Sequence, residues 1–225
     1  SQDKVLCDEI LGGVDIHENN RQRFRLPSRL IAKIFVFRLI YGGSAWSYAN
    51  DADFQSVSKS QKFWQDVVDE FYIKYQGMAK WHSQLCDEVR RTSKLIMPTG
   101  REFHYESKVI NGEKIWPRTK ILNYPVQGTG ADLVCIGRVT AWKRLKKSGL
   151  SYLWQSTVHD SLDLDCPVDK DSKEWYNICN IINSSIEDIP NNFYRLFGKT
   201  FNLPITAEIG YGPNLATLTP WEKRT

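Results

Sequence analysis

The sequence predicts a mixed α+β fold in which helices dominate and the strands come as antiparallel hairpins. Apolar residues recur at helical spacing, at Phe63, Val67, Phe71 and Tyr75 and again at Trp81, Leu85 and Val89. Turn residues at Pro98-Thr-Gly100 and Asn111-Gly112 are flanked by strand-like residues. Two further strand-like runs, Leu153 to Val158 and Leu162 to Asp165, meet at His159-Asp160. In the second of them Leu162 and Leu164 alternate with Asp163 and Asp165, the period of a strand with one buried face.

With 225 residues, 41% of them hydrophobic and 25% charged, the chain can bury a core as one large domain or two small ones. The net charge of +4 suits a polyanionic partner but is too small to identify one. Five cysteines, odd in number and without a Cys-x-x-Cys pair, read as reduced thiols and not as a disulfide or zinc framework. No apolar run reaches the length of a membrane span and no signal-peptide pattern opens the chain, so no membrane partner is expected and the expected compartment is a cytoplasm.

In chain order, residues 4–12 read as a short helix closed by Gly12-Gly13, and Asp15 reads as the N-cap of a second, with His17 in its first turn. Pro27-Ser28 starts, and Gly42-Gly43 stops, a helix of about four turns over Arg29–Gly42. Its residues Arg29, Lys33, Phe37 and Tyr41 are four apart and advance only about 40° per step, so they form one slowly turning stripe. Leu30, Ile31, Ile34, Phe35 and Leu39 are expected to face the core. Two packed helices follow to Lys94, broken at Gly77, and then a hairpin region. A helix started by Pro125 runs on through Trp142 and Lys147. Beyond the His159-Asp160 hairpin, one or two helices from Trp175 to Phe197 are interrupted at Pro190, and a closing strand is expected within Leu203–Leu215.

By itself the stripe is compatible with an amphipathic helix carrying two snorkelling cations, and Asp160 with an ordinary turn aspartate. Their order and detail say more. Arg29-x3-Lys33-x3-Phe37-x3-Tyr41-Gly42 resembles the fingers helix of the family A DNA polymerases. Asp15-Ile-His17 resembles the family's triplet just ahead of that helix, and Asn123-Tyr-Pro-Val-Gln127-Gly resembles its Asn-x-Pro-x-Gln-Gly run. His159-Asp160 resembles the second catalytic carboxylate motif, and Leu203–Leu215 the closing strand and tail, so the likeness runs in order from about Ser1 to Trp221.

The resemblance implies a polymerase palm, an antiparallel sheet with helices, and a mostly helical fingers subdomain, together an incomplete polymerase hand. Residues 1–16 would lead from palm to fingers, 17–94 would be fingers and 95–225 the C-terminal part of the palm. It implies a template-directed DNA polymerase adding deoxynucleotides from dNTPs to the 3′-hydroxyl of a primer-template DNA. Arg29 and Lys33 would clamp the triphosphate and join Asp160 as the catalytic set, with His17 beside the phosphates. Phe37 and Tyr41 would shape the base pocket. Tyr41, Gly42, Asn123, Gln127 and His159 would contact DNA, the amides by reading minor-groove acceptors common to all base pairs. Arg118 and Lys120 would reach phosphates. Asp160 would bind two Mg²⁺ ions, hard cations suited to carboxylates.

The family's first catalytic aspartate lies in an Asp-x-Ser-x-x-Glu motif, and none occurs in this sequence. The expectation is therefore a split or processed subunit that needs a companion chain carrying that motif and the thumb, with a phage source and hence a host cytoplasm. Ser161 stands where a glutamate usually follows the aspartate; His-Asp-Ser is found in single-subunit phage RNA polymerases. A fragment of such an enzyme, or a non-catalytic DNA- or nucleotide-binding module, is the competing expectation.

Overall fold

The protein is described by a computed structural model covering residues 1–222. The chain divides into two compact units, Ser1–Gln127 and the residues from Gly128 onward. In order, the first contains helices α1 (Lys4–Leu11), α2 (Ile16–Arg23), α3 (Arg29–Ile40), α4 (Ala45–Ala49), α5 (Ala52–Gln55), α6 (Gln61–Lys74) and α7 (Gln76–Thr92). It continues with strands β1 (Lys94–Ile96), β2 (Glu102–His104), β3 (Lys108–Ile110) and β4 (Glu113–Ile115) and the first ten residues of α8 (Arg118–Ser148). The second contains the rest of α8, β5 (Leu153–Val158), β6 (Ser161–Asp165), α9 (Lys173–Glu187), α10 (Ile189–Phe197), β7 (Gly210–Tyr211) and β8 (Thr219–Pro220).

The strands pair antiparallel as four separate hairpins, β1 with β2, β3 with β4, β5 with β6 and β7 with β8. Among the described residues no third strand extends the β5–β6 pair. The closing strand is shorter than the sequence suggests: Leu203 to Glu208 lies outside any strand, and only Gly210–Tyr211 finds a pairing edge.

Alpha3 is the wall of the main core. Ala32, Phe35, Val36 and Leu39 are buried, with Phe35 in an aromatic cluster 5.0 Å from the Tyr48 ring and 6.1 Å from Trp64. The Tyr48 hydroxyl donates to the Phe35 carbonyl at 3.1 Å, which ties α4 to α3. Leu30 departs from expectation and is 63% exposed. At 100° per residue it lies about 20° from Phe37 on the helix wheel, so it belongs to the exposed stripe and Ala32 and Val36 take its expected place inside.

Gly77 does not break the α6–α7 pair; the break is at Tyr75, and Gly77 lies in the first turn of α7. Its role is close approach. A β-carbon there would stand 2.7 Å from the Asp3 α-carbon, and its amide donates to Asp3 Oδ2 at 2.6 Å. Asp3 is buried and also caps α1 by accepting from the Leu6 amide at 2.9 Å. A second buried polar group joins α1, α2 and α6. Lys74 Nζ meets Glu9 Oε1 and Asn20 Oδ1, both at 2.8 Å, and the Tyr75 hydroxyl donates to Glu9 Oε2 at 2.6 Å. Such a pair is tolerable inside because each charge has several partners.

Alpha8 begins at Arg118, seven residues before Pro125, which therefore sits inside a continuous helix and not at its start. Proline has no amide hydrogen for the Ile121 carbonyl, a cost that the buried Ile121, Leu122 and Pro125 offset by packing. In the second unit, Gly137 lets α8 pass α9 and α10, since a β-carbon would meet Ile186 Cδ1 at 2.7 Å. Arg144 Nη2 donates to Asp188 Oδ2 at 2.6 Å at the same junction. Pro190 stands in the first turn of α10, where the sequence expects the interruption.

His82 in α7 is buried, its Nδ1 3.1 Å from the Tyr72 hydroxyl. Burial, followed by the charge of Arg118, lowers its pKa to about 4. The unfolded chain, with an ordinary histidine, takes up its proton first as pH falls. Stability is thus expected to decline from about pH 6.5 downward until the folded pKa is reached, by about 2 kcal/mol between pH 7 and pH 5. Melting curves across that range are expected to show the slope, and His82→Phe to remove most of it.

Candidate functional site

The stripe predicted on α3 is outward-facing. Arg29, Lys33 and Phe37 are exposed, while the opposite face is core. Ser28 caps the helix through its side chain, accepting from the Ile31 amide at 3.2 Å. The preceding helix, α2, brings His17 alongside: the His17 and Phe37 rings are 5.7 Å apart, and Lys33 Nζ lies 5.9 Å from the Phe37 ring centroid. His17, Arg29, Lys33 and Phe37 thus form one cluster at the exposed rim of the first unit.

The electrostatics of the cluster disfavour the charged form of its imidazole. Burial lowers the His17 pKa most and Arg29 and Lys33 lower it further, against an opposing pull from Asp15. His17 Nδ1 is buried without a protein partner. Asp15 is the N-cap of α2, as expected, but its carboxylate does more: Oδ1 accepts from the His17 and Glu18 amides at 3.1 and 3.0 Å, and Oδ2 accepts from Arg29 Nε at 2.7 Å. Hydrogen bonding to Arg29, then to the Glu18 amide, holds the Asp15 carboxyl below the usual range. The pairing of Asp15 with Arg29 has no sequence signature, because fourteen residues and a turn separate them.

At the C-terminal end of the stripe, Gln127 Nε2 donates to the Tyr41 hydroxyl at 2.8 Å. Asn123 lies one turn earlier on α8, on the same side of the helix. Gly42, at φ +90°, makes this approach possible: a β-carbon would meet the Thr119 α-carbon at 3.3 Å. Tyr41, Gly42, Asn123 and Gln127 are therefore one group, contiguous with the cation cluster through α3. Lys120 is exposed on the first turn of α8. Arg118 turns instead toward α7, with Nη1 3.6 Å from Cys86 Sγ.

His159 and Asp160 belong to the second unit, where they form the two-residue loop between β5 and β6, closed by the Val158–Ser161 pair. The Ser161 hydroxyl donates to the Val158 carbonyl at 3.0 Å and so closes the turn. His159 has φ +53°, a conformation that favours glycine at the first position of such a loop. That strain is local and measurable: His159→Gly is expected to raise stability by about 0.5–1 kcal/mol in thermal melts. Asp160 is exposed at the hairpin tip. As a hard oxygen donor it suits Mg²⁺, but among the described residues no three acidic, histidine or cysteine side chains are grouped to hold a metal ion. In the first unit, Asp3 is engaged with the Leu6 and Gly77 amides and Asp8 with Lys4.

Comparison with known proteins gives this arrangement a relationship. The family model described as DNA polymerase family A matches residues 1–217. A DNA polymerase of Bacillus phage SP01 is 25% identical over 211 residues, covering 90% of this chain and 21% of that protein. DNA polymerase I of Aquifex aeolicus (strain VF5) is 25% identical over 178 residues, covering 75% of this chain and 30% of that protein. Among solved structures, the POL domain of Pol1 from M. smegmatis, in complex with DNA primer-template and dNTP, has a similar fold: TM-score 0.73 at 17% identity, over 91% of this chain and 35% of that one. The chain thus spans between 21% and 35% of the length of these relatives. With the model matched from Ser1 to Thr217 and both relatives aligned over most of the chain, the protein belongs to DNA polymerase family A.

Proposed function

We propose that this chain is the fingers and C-terminal palm portion of a template-directed DNA polymerase. Residues 17–94 serve as fingers and 95–225 as palm, and the substrates are a primer-template DNA and dNTPs. The observation that carries the reading is the exposed face of α3, where two cations and a ring stand beside the His17 imidazole on a helix whose other face is fixed in the core.

On this reading Arg29 and Lys33 hold the triphosphate, Arg29 through its planar fork and Lys33 as a point charge. His17 hydrogen-bonds a phosphate oxygen through a ring N–H. Phe37 and Tyr41 bound the incoming base, and the Gln127 bond fixes where the Tyr41 ring stands. Asn123 and Gln127 meet the minor groove of the newest base pair, Lys120 the backbone, and His159 the primer end. The primer 3′-hydroxyl loses its proton to solvent as its oxygen attacks the α-phosphorus, and the bond from the α-phosphorus to pyrophosphate breaks. Mg²⁺, when bound, neutralises charge on the reacting oxygens, and Asp160 is the carboxylate this chain contributes toward it. Asp160 by itself does not make a two-ion site, and among the described residues no cluster of metal-binding side chains completes one, so on this reading a second carboxylate comes from protein outside these residues, in the same longer chain or in a companion.

That shortfall also favours a second reading, a nucleotide- and DNA-binding module without chemistry. Primer extension with Mg²⁺ and all four dNTPs separates the two. Extension is expected when the chain is joined or mixed with polypeptide supplying the other carboxylate, and not with this chain alone. Extension by the chain alone contradicts the donor argument, and none in either case, with nucleotide still bound, establishes the module.

A further inference from the structure

We infer that Asp15 is a positioning residue for the triphosphate: its carboxylate fastens Arg29 to the first turn of α2, so that the guanidinium and His17 meet the same phosphate chain. The inference rests on the proposed nucleotide site and names a residue that acts through Arg29 without touching the ligand.

One carboxylate serves three donors. Oδ1 takes the His17 and Glu18 amides and so fixes the turn that carries the imidazole. Oδ2 takes Arg29 Nε at 2.7 Å and so joins the start of α3 to the start of α2. The Glu18 carboxylate, in the same first turn, adds a charge attraction for Arg29, while α2 is held to α1 through the Asn19 bond to Glu9 and to α6 through Asn20. The Arg29 side chain is 54% exposed. Released from Asp15, it would range over many rotamers and lose that freedom on binding an anion; held by Asp15, it has already lost much of it. The bond engages Nε and leaves the four Nη hydrogens, the part of the fork that grips phosphate oxygens, for a ligand. The negative charge of Asp15 opposes an incoming phosphate, but its side chain is 47% exposed and solvent screens it.

Asparagine is the informative replacement. It caps a helix as well as aspartate does, so Asp15→Asn keeps the α2 turn and removes only the hold on Arg29. Binding of dATP to the full chain, followed by calorimetry, is expected to weaken about 2- to 10-fold in Asp15→Asn, with a melting temperature close to wild type because an exposed ion pair contributes little to stability. In an Arg29→Ala background the same change is expected to have no further effect. Tighter binding in Asp15→Asn would mean that Asp15 competes with the ligand. Unchanged binding, or the same loss with and without Arg29, would equally overturn the inference. Lys33→Ala is the separate control: if it leaves dATP binding intact, the nucleotide site itself is misassigned, and the role of Asp15 falls with it.

Discussion

Asp160→Asn is expected to lower primer extension by roughly 10³-fold or more in the completed polymerase, while DNA binding and melting temperature stay near wild type. Asp160 sits at the exposed tip of a hairpin and buries nothing, and asparagine is as acceptable in a turn as aspartate. Surface changes of this kind usually shift stability by less than about 0.5 kcal/mol. What the substitution removes is the charge, and the stabilisation a metal ion gives the reacting oxygens amounts to several kcal/mol, equivalent to about three powers of ten in rate. Single-turnover incorporation of one dNTP measures it. A variant retaining more than about a tenth of wild-type rate would remove Asp160 from the chemistry.

Lys33→Ala is expected to weaken dNTP binding by about 10- to 100-fold, the value of a charge-assisted contact to phosphate. The fold should be indifferent to the change. Lys33 projects from the exposed face of α3 beside the Phe37 ring, and alanine has the higher helix propensity. Loss of binding with an unshifted melting temperature is therefore the signature of a ligand contact. Equilibrium titration with a fluorescent dNTP, alongside a thermal melt, reads both quantities on the same preparation.

Much of this surface was legible in the sequence because steps of four residues stay on one side of a helix. Arg29, Lys33 and Phe37 are exposed for that reason, and Ser28 and Gly42 end α3 close to where turn chemistry places its limits. The hairpin at His159-Asp160 was legible for a similar reason: two strand-like runs separated by two residues read as a tight turn, although the one-residue slip of the ladder between Trp154 and Ser156 has no sequence signature. Polarity alone was a poorer guide. Leu30 is apolar and outside, since its position on the wheel and not its chemistry decides where it points. Gly77 reads as a breaker and is instead a contact with Asp3, while Pro125 reads as a start and lies within α8. Tertiary packing decided both. The links from Glu9 and Asn20 to Lys74 and Tyr75, and from Asp15 to Arg29, could not be read at all, because each needs the helices already brought together.

The central claim is that the incoming nucleotide rests on the exposed face of α3, and photocrosslinking tests it most directly. A base-azido dNTP irradiated on the protein, followed by proteolysis and mass mapping, is expected to label the peptide containing Phe37 and Tyr41, with labelling suppressed by excess unmodified dNTP and by Lys33→Ala. Competable labelling confined to other peptides, or labelling of α3 unaffected by Lys33→Ala, would contradict the account.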